Sequence, residues 1–244
     1  MSVAAGIWLF DLGNTRLKFA PLQGDAMGVV AAMPHAQLMA EEAYERLPRG
    51  AVARVASVAA PAIGDALLRR LSSRFDRVEV ARTLPRCGKV RIAYPVPAHL
   101  GVDRFLTLLA AHARGGASLI AGVGTALTVD LIDADGLHRG GRIAPSPALM
   151  REALQARVRQ LPVEGGGYAE FADDTPDALA SGCEGAALGL IERSLAQARL
   201  LLGTTPRLLL HGGGADALRA RLPEAEAAPM LVLEGLAAWA RLDT

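Results

Sequence analysis

With 244 residues, 51% of them hydrophobic, the chain can bury a sizeable core and fits one large domain or two compact ones, which excludes a disordered chain. Its 26 basic and 25 acidic residues nearly cancel and are interspersed, with no basic block of the kind that tracks a nucleic-acid backbone. Cys87 and Cys183 belong to no CxxC pair, the five histidines show no metal-ligand spacing, and no apolar run reaches the roughly 20 residues that span a bilayer; the expectations are a reducing, cytoplasmic compartment, no zinc site and no membrane.

The first apolar run, Ile7-Trp8-Leu9-Phe10, leads into Asp11-Leu12-Gly13-Asn14-Thr15 and then a short alternating segment ending at Lys18, which reads as strand, tight turn, strand. Such a turn sets a carboxylate, short polar side chains and backbone amides at one strand end, where a polyanion and a hydrated divalent cation can be held. The same residues also suit a plain hairpin turn. Lys18 is one of only two lysines among mostly arginine cations and is a candidate phosphate contact. Val52 to Val58 predicts a buried strand, Pro61 to Leu71 a helix with Ile63, Leu67, Leu68 and Leu71 on one face, and Val78 to Ala81 another strand. Tyr94-Pro95-Val96-Pro97 is an extended surface loop, because proline fits neither a central strand nor a helix interior. Leu100-Gly101-Val102-Asp103-Arg104 then opens a helix. Asp103 there reads either as helix-terminus electrostatics or as a general base, with Arg104 gripping an anionic group.

Gly115-Gly116 marks a domain boundary, giving an expected N-terminal domain of residues 1–115 and a C-terminal one of 116–244. Beyond it, Leu119-Ile120-Ala121, the turn around Gly124-Thr125 and the run through Asp130 repeat the plan of the first hairpin, which suggests an internal duplication. A helix follows near Ser146 to Leu161, then a flexible linker at Gly165-Gly166-Gly167, then a long helix to about Leu202 with Thr175 as its N-cap and Pro176 at its first position. Leu208-Leu209-Leu210 predicts a strand whose following turn, His211-Gly212-Gly213-Gly214, suits a base or ribose packed on bare backbone. Leu231-Val232-Leu233 reads as a strand and Glu234 to Arg241 as a closing helix. Alternating strands and helices make the chain α/β.

Taken together, Asp11-x-Gly13-Asn14-Thr15-x-x-Lys18, Tyr94-x-x-Pro97-x-x-Leu100-Gly101-x-Asp103-Arg104, Gly124-Thr125-Ala126-x-Thr128, Gly140-Gly141-x-Ile143-x-Pro145 and Asp174-Thr175-x-x-Ala178-x-x-Ser181-Gly182 resemble type III pantothenate kinase in order and spacing. The resemblance implies two ribonuclease-H-like halves of the actin, Hsp70, acetate and sugar kinase superfamily, with the active site in the cleft between them, and a homodimer. It implies ATP-dependent phosphorylation of pantothenate to 4'-phosphopantothenate, the first step of coenzyme A biosynthesis. Carried over, Asp11, Leu12, Gly13, Asn14, Thr15, Arg16, Leu17 and Lys18 form the first ATP loop, with Asp11 holding Mg2+ through water, and Thr125 contacts the nucleotide phosphates. Asp103 becomes the proton acceptor; Tyr94, Gly101, Val102, Asp103 and Arg104 bind pantothenate, together with Thr175 from the partner subunit. Two departures stand out. The family's acid for a K+ or NH4+ ion is Gly122 here, and Ser146 replaces a glycine that usually ends the Gly-Gly-x-Ile-x-Pro motif. The same residues also fit a kinase of this superfamily for another small hydroxylated acid, or a non-catalytic nucleotide-binding regulator.

Overall fold

The computed structural model describes residues 6–40, 43–162 and 164–242. The chain divides into two compact units, Met1–Arg114 with Met230–Thr244, and Gly115–Pro229.

In the first unit, β1 (Ile7–Leu12) and β2 (Arg16–Gln23) form an antiparallel hairpin whose register sets Asp11 opposite Lys18. The short strands β3 (Ala26–Met27) and β4 (Ala31–Pro34) pair with β2. After the small helices α1 (His35–Met39) and α2 (Ala43–Arg46), β5 (Gly50–Ser57) lies parallel to β1. Helix α3 (Pro61–Ser72), begun by a proline at its first turn where the missing N–H is not needed, leads to β6 (Phe75–Val80), parallel to β5. The sheet order is β3-β2-β1-β5-β6, with β4 also on β2. Its core stacks Phe10 on Phe19 at 5.8 Å and sets Phe75 edge-on to Phe10 at 5.6 Å. A ribbon of β7 (Arg86–Cys87) and β8 (Val90–Arg91) and a single turn at Pro97–His99 then lead to α4 (Val102–Ala113).

The second unit opens with the antiparallel meander β9 (Ser118–Val123), β10 (Ala126–Ile132) and β11 (His138–Pro145). Helices α5 (Pro147–Arg157) and α6 (Thr175–Leu202) precede β12 (Arg207–His211), which is parallel to β9; α7 (Ala215–Arg219) and β13 (Ala225–Ala227) follow. Every residue of β9 is buried, as befits a central strand, and α6 covers the sheet with Ala187, Leu188, Ile191, Leu195 and Ala198 at helical spacing. The order β11-β10-β9-β12-β13 repeats that of the first sheet: an antiparallel meander flanked by two parallel strands. The duplication therefore reaches the whole sheet, and each unit is one ribonuclease-H-like half.

Several elements differ from expectation. Residues 231 to 241 form one helix, α8 (Leu231–Leu242), with no strand at Leu231-Val232-Leu233, and it belongs to the first unit, whereas the expected C-terminal half ran to residue 244. Gly235 explains the packing: its backbone lies so close to the Leu106 carbonyl of α4 that a Cβ there would overlap it. Replacing Gly235 with Ala is expected to cost about 2 kcal/mol, which calorimetry would read as a Tm lowered by roughly 4 to 8 °C. Helix α5 ends at Arg157, short of Leu161. The N-cap of α6 is Asp174, whose side chain accepts from the Asp177 N–H at 2.9 Å, so Thr175 and Pro176 are already helical. The 165–167 segment is fastened at both ends: Arg151 Nη1 donates to the Gly165 carbonyl at 2.7 Å, and Gly167 N–H donates to Asp177 Oδ1 at 2.6 Å.

Candidate active site

The turn between β1 and β2 is closed by the Gly13 N–H donating to the Arg16 carbonyl at 3.1 Å. His35, at the start of α1, braces the same turn: its backbone N–H donates to the Thr15 carbonyl at 3.3 Å and its Nε2 lies 3.0 Å from the Gly13 carbonyl oxygen. Nothing in the local sequence around His35 announces this role, since it depends on β4 returning along β2. Asn14, Thr15 and Arg16 are exposed, while Leu12 and Leu17 are buried in the sheet core and offer a ligand backbone only.

Asp11 closes β1. Burial pushes its carboxyl up from the usual 3.8 to about 7; Lys18, its cross-strand partner, pulls it back and the Asp103 carboxyl adds to the rise. The first unit thus brings Asp11, Lys18 and Asp103 into one electrostatic neighbourhood, joining two motifs far apart in sequence. A carboxylate so poorly solvated suits a cation or a cation-bearing ligand. Among the described residues no group of three or more His, Cys, Asp or Glu side chains is arranged to hold a metal, so a magnesium ion at Asp11 would take most of its coordination from phosphate oxygens and water, which is how this ion is commonly held.

Asp103 is the second residue of α4 and its Oδ1 accepts the Arg104 N–H at 2.8 Å. Gly101 makes room for that carboxyl, because a Cβ there would sit 2.6 Å from Asp103 Oδ1. The helix-terminus role and a catalytic role are compatible, since the second carboxyl oxygen is not consumed by this bond. Arg104 is only 6% exposed; its Nη1 donates to Tyr94 Oη at 3.3 Å and its guanidinium lies 5.7 Å from the Tyr94 ring centroid. The extended loop and the helix start therefore meet in one cation held against one aromatic ring, next in sequence to Asp103. Val102 and Gly101 are half-buried beside them.

In the second unit, the Gly124 N–H donates to the Ala126 carbonyl at 2.9 Å, closing the tighter β9–β10 turn, and Gly124 and Thr125 are exposed at its tip. The glycine turn after β12 packs on the end of β9: the Gly214 N–H donates to the Val123 carbonyl at 3.0 Å, and Gly212, at φ +98°, leaves no room for a Cβ against the same group. Ser146 is buried and is the N-cap of α5, accepting the Leu149 N–H at 3.2 Å, a capping use that glycine cannot serve. Thr175 is exposed at the start of α6, beside Asp173 and Asp174. The two cysteines are free and buried.

The family described as type III pantothenate kinase matches residues 7–197. The chain is 60% identical over 234 residues to a type III pantothenate kinase of Stenotrophomonas maltophilia, covering 96% of each chain, and 58% identical over 235 residues to one of Xanthomonas campestris pv. campestris, with the same coverage. Among solved structures it resembles a Campylobacter jejuni protein described as a Baf family transcriptional activator (TM-score 0.64, 19% identity, 97% of this chain and 98% of that one). It also resembles a Sinorhizobium meliloti protein described as a 2-dehydro-3-deoxygalactonokinase (TM-score 0.61, 16% identity, 96% and 98%). At these identities the structural likeness speaks to the fold alone.

Proposed function

The chain belongs to the type III pantothenate kinase family and phosphorylates pantothenate with ATP, the first step toward coenzyme A; we propose that Asp103 accepts the proton of the acceptor hydroxyl in that reaction. The observation that supports this reading is that the Asp103 carboxyl adds to the rise at Asp11, so the two carboxyls share one neighbourhood in the first unit. A primary alcohol is a weak nucleophile near neutral pH, and phosphoryl transfer asks the protein mainly to position groups, offset charge and take up that proton. The first loop, Asp11 to Lys18, cradles the nucleotide phosphates through the Gly13 to Arg16 backbone and the Lys18 ammonium, and Thr125 contacts the phosphates from the second turn. When bound at Asp11, magnesium neutralises triphosphate charge.

Arg104 grips the pantothenate carboxylate bidentately, its plane held by Tyr94, while the half-buried Gly101–Val102 backbone borders the substrate. Thr175 reaches the substrate of the partner protomer in a homodimer. In support of that assembly, the second unit carries an apolar groove lined by Met150, Ala153, Leu154, Leu179 and Gly182, and a fully exposed Phe171 nearby in sequence. The free, buried cysteines suit the cytoplasm, and among the described residues no helix is long and apolar enough to cross a membrane.

The test is ADP release coupled to 31P NMR of the product: pantothenate, ATP and magnesium give a phosphate monoester of a primary alcohol, and ADP release without that monoester removes the assignment. Arg104→Lys keeps the charge and loses the fork. It is expected to raise KM for pantothenate roughly tenfold with kcat changed much less, as steady-state kinetics would read.

A further inference from the structure

The family resemblance puts the acid for a monovalent cation two residues before Gly124, where this chain has Gly122. That residue lies in β9, buried, opposite Thr128 on β10 and His211 on β12. A Cβ built on Gly122 would meet His211 Nε2 at 2.7 Å, His211 Cε1 at 3.0 Å and Thr128 Oγ1 at 2.8 Å. The space in which any side chain at position 122 must begin is therefore filled by an imidazole and a hydroxyl from the two neighbouring strands. An aspartate cannot enter unless both withdraw.

The donor set that remains does not suit the ion. Potassium and ammonium are held by several oxygens, whereas a neutral imidazole nitrogen is a poor ligand for a hard cation and a protonated one repels it. Nor is the imidazole free to swing away at its backbone. His211 runs directly into the glycine turn that packs on Val123 through Gly212 and through the Gly214 N–H bond, so the residue is fixed at the end of β9 that leads into Gly124-Thr125.

We infer that this chain has exchanged the monovalent cation for His211: the imidazole fills the ion's seat against Gly122 and ties the ends of β9, β10 and β12 beneath the second phosphate turn, so that turnover needs neither K+ nor NH4+. Gly122 and His211 form a complementary pair in which one side chain is deleted to admit the other. His211 is on this account a positioning residue, acting on the nucleotide through the turn it supports. The inference rests on the proposed kinase reaction, and the experiment separates the two. Failure to turn over in every salt would strike at the reaction, and salt dependence at the inference.

The wild-type enzyme is to be assayed in choline chloride and in KCl or NH4Cl at matched ionic strength. The expected change in kcat/KM for ATP is within about twofold, and activation of roughly tenfold or more would overturn the inference. Binding of thallium(I), a potassium surrogate, followed by 205Tl NMR on the wild-type protein, gives a readout independent of turnover: no saturable site is expected, and a site that potassium displaces would overturn it. His211→Ala is expected to raise KM for ATP in every salt. The double variant Gly122→Asp with His211→Ala reopens the seat and restores the acid, so potassium, but not choline, should raise both its Tm and its activity. A folded double variant indifferent to potassium would show that His211 does not occupy the ion's place. Should that variant not fold, the wild-type thallium and salt measurements decide by themselves.

Discussion

Asp103→Asn is expected to lower kcat by about 100-fold or more, the usual effect of losing a general base, with KM for pantothenate changed little. The amide is close to isosteric and can still accept the Arg104 N–H through its oxygen, so the start of α4 should survive. What it cannot do is carry off the hydroxyl proton. The variant should melt near the wild-type temperature, and rapid-quench kinetics should show the loss in the phosphoryl-transfer step. A kcat within a few-fold of wild type would reduce Asp103 to a helix-terminus residue and transfer the search for the base elsewhere.

The second large effect has two opposite signs. In the ligand-free protein the Asp11 carboxyl titrates near 7, raised from 3.8 by burial above all, with Asp103 adding and Lys18 opposing. Because the folded state holds this proton more tightly than the unfolded chain, the favourable contribution is complete below the unfolded value and is lost as pH rises from about 4 to about 7. Above that window Asp11 is a poorly solvated charge facing another carboxyl. Asp11→Asn removes the charge, so at pH 8 the ligand-free variant is expected to melt several degrees above wild type, with little difference at pH 4. Its turnover with magnesium and ATP should fall by about 100-fold or more if Asp11 holds magnesium at the polyphosphate as proposed. Thermal melts at the two pH values, set beside steady-state rates, check both signs. A variant less stable at pH 8 would mean that Asp11 is structural. Wild-type magnesium affinity should weaken below about pH 7, where the proton competes for the same oxygens.

Much of the architecture was legible because local pattern and tertiary context agree. The Gly13 and Gly124 turns announce hairpins, and the apolar faces of α3 and α6 follow helical spacing, so the repeated sheet plan could be anticipated. The misreadings share one cause, which is that the deciding partner lies elsewhere in the chain. Leu231-Val232-Leu233 has the composition of a short strand, yet it becomes helical because its core-facing side docks on α4 through Gly235. Thr175 and Asp174 are both good caps, and only the bond to Asp177 chooses between them. The absence of an acid at Gly122 was readable, but what fills the gap was not, since His211 reaches it by parallel pairing of β12 with β9. The candidate residues Tyr94 and Arg104 were found as a motif, while their stacking and the brace by His35 emerged from the fold.

The return of α8 to the first unit also bears on how the molecule is made. Residues 115–229 form an uninterrupted unit that holds its own core and can condense as soon as they leave the ribosome. The first unit, although translated earlier, lacks its closing helix until after that segment, when Gly235 settles on Leu106 and Glu234 pairs with Arg114 at 2.7 Å at the far end of α4. Because α4 also carries the candidate residues Asp103 and Arg104, nascent chains stalled before residue 230 should hold the second half in order while α4 waits unsupported. Acquisition of kinase activity thus waits on the synthesis of α8 and its return to the first unit.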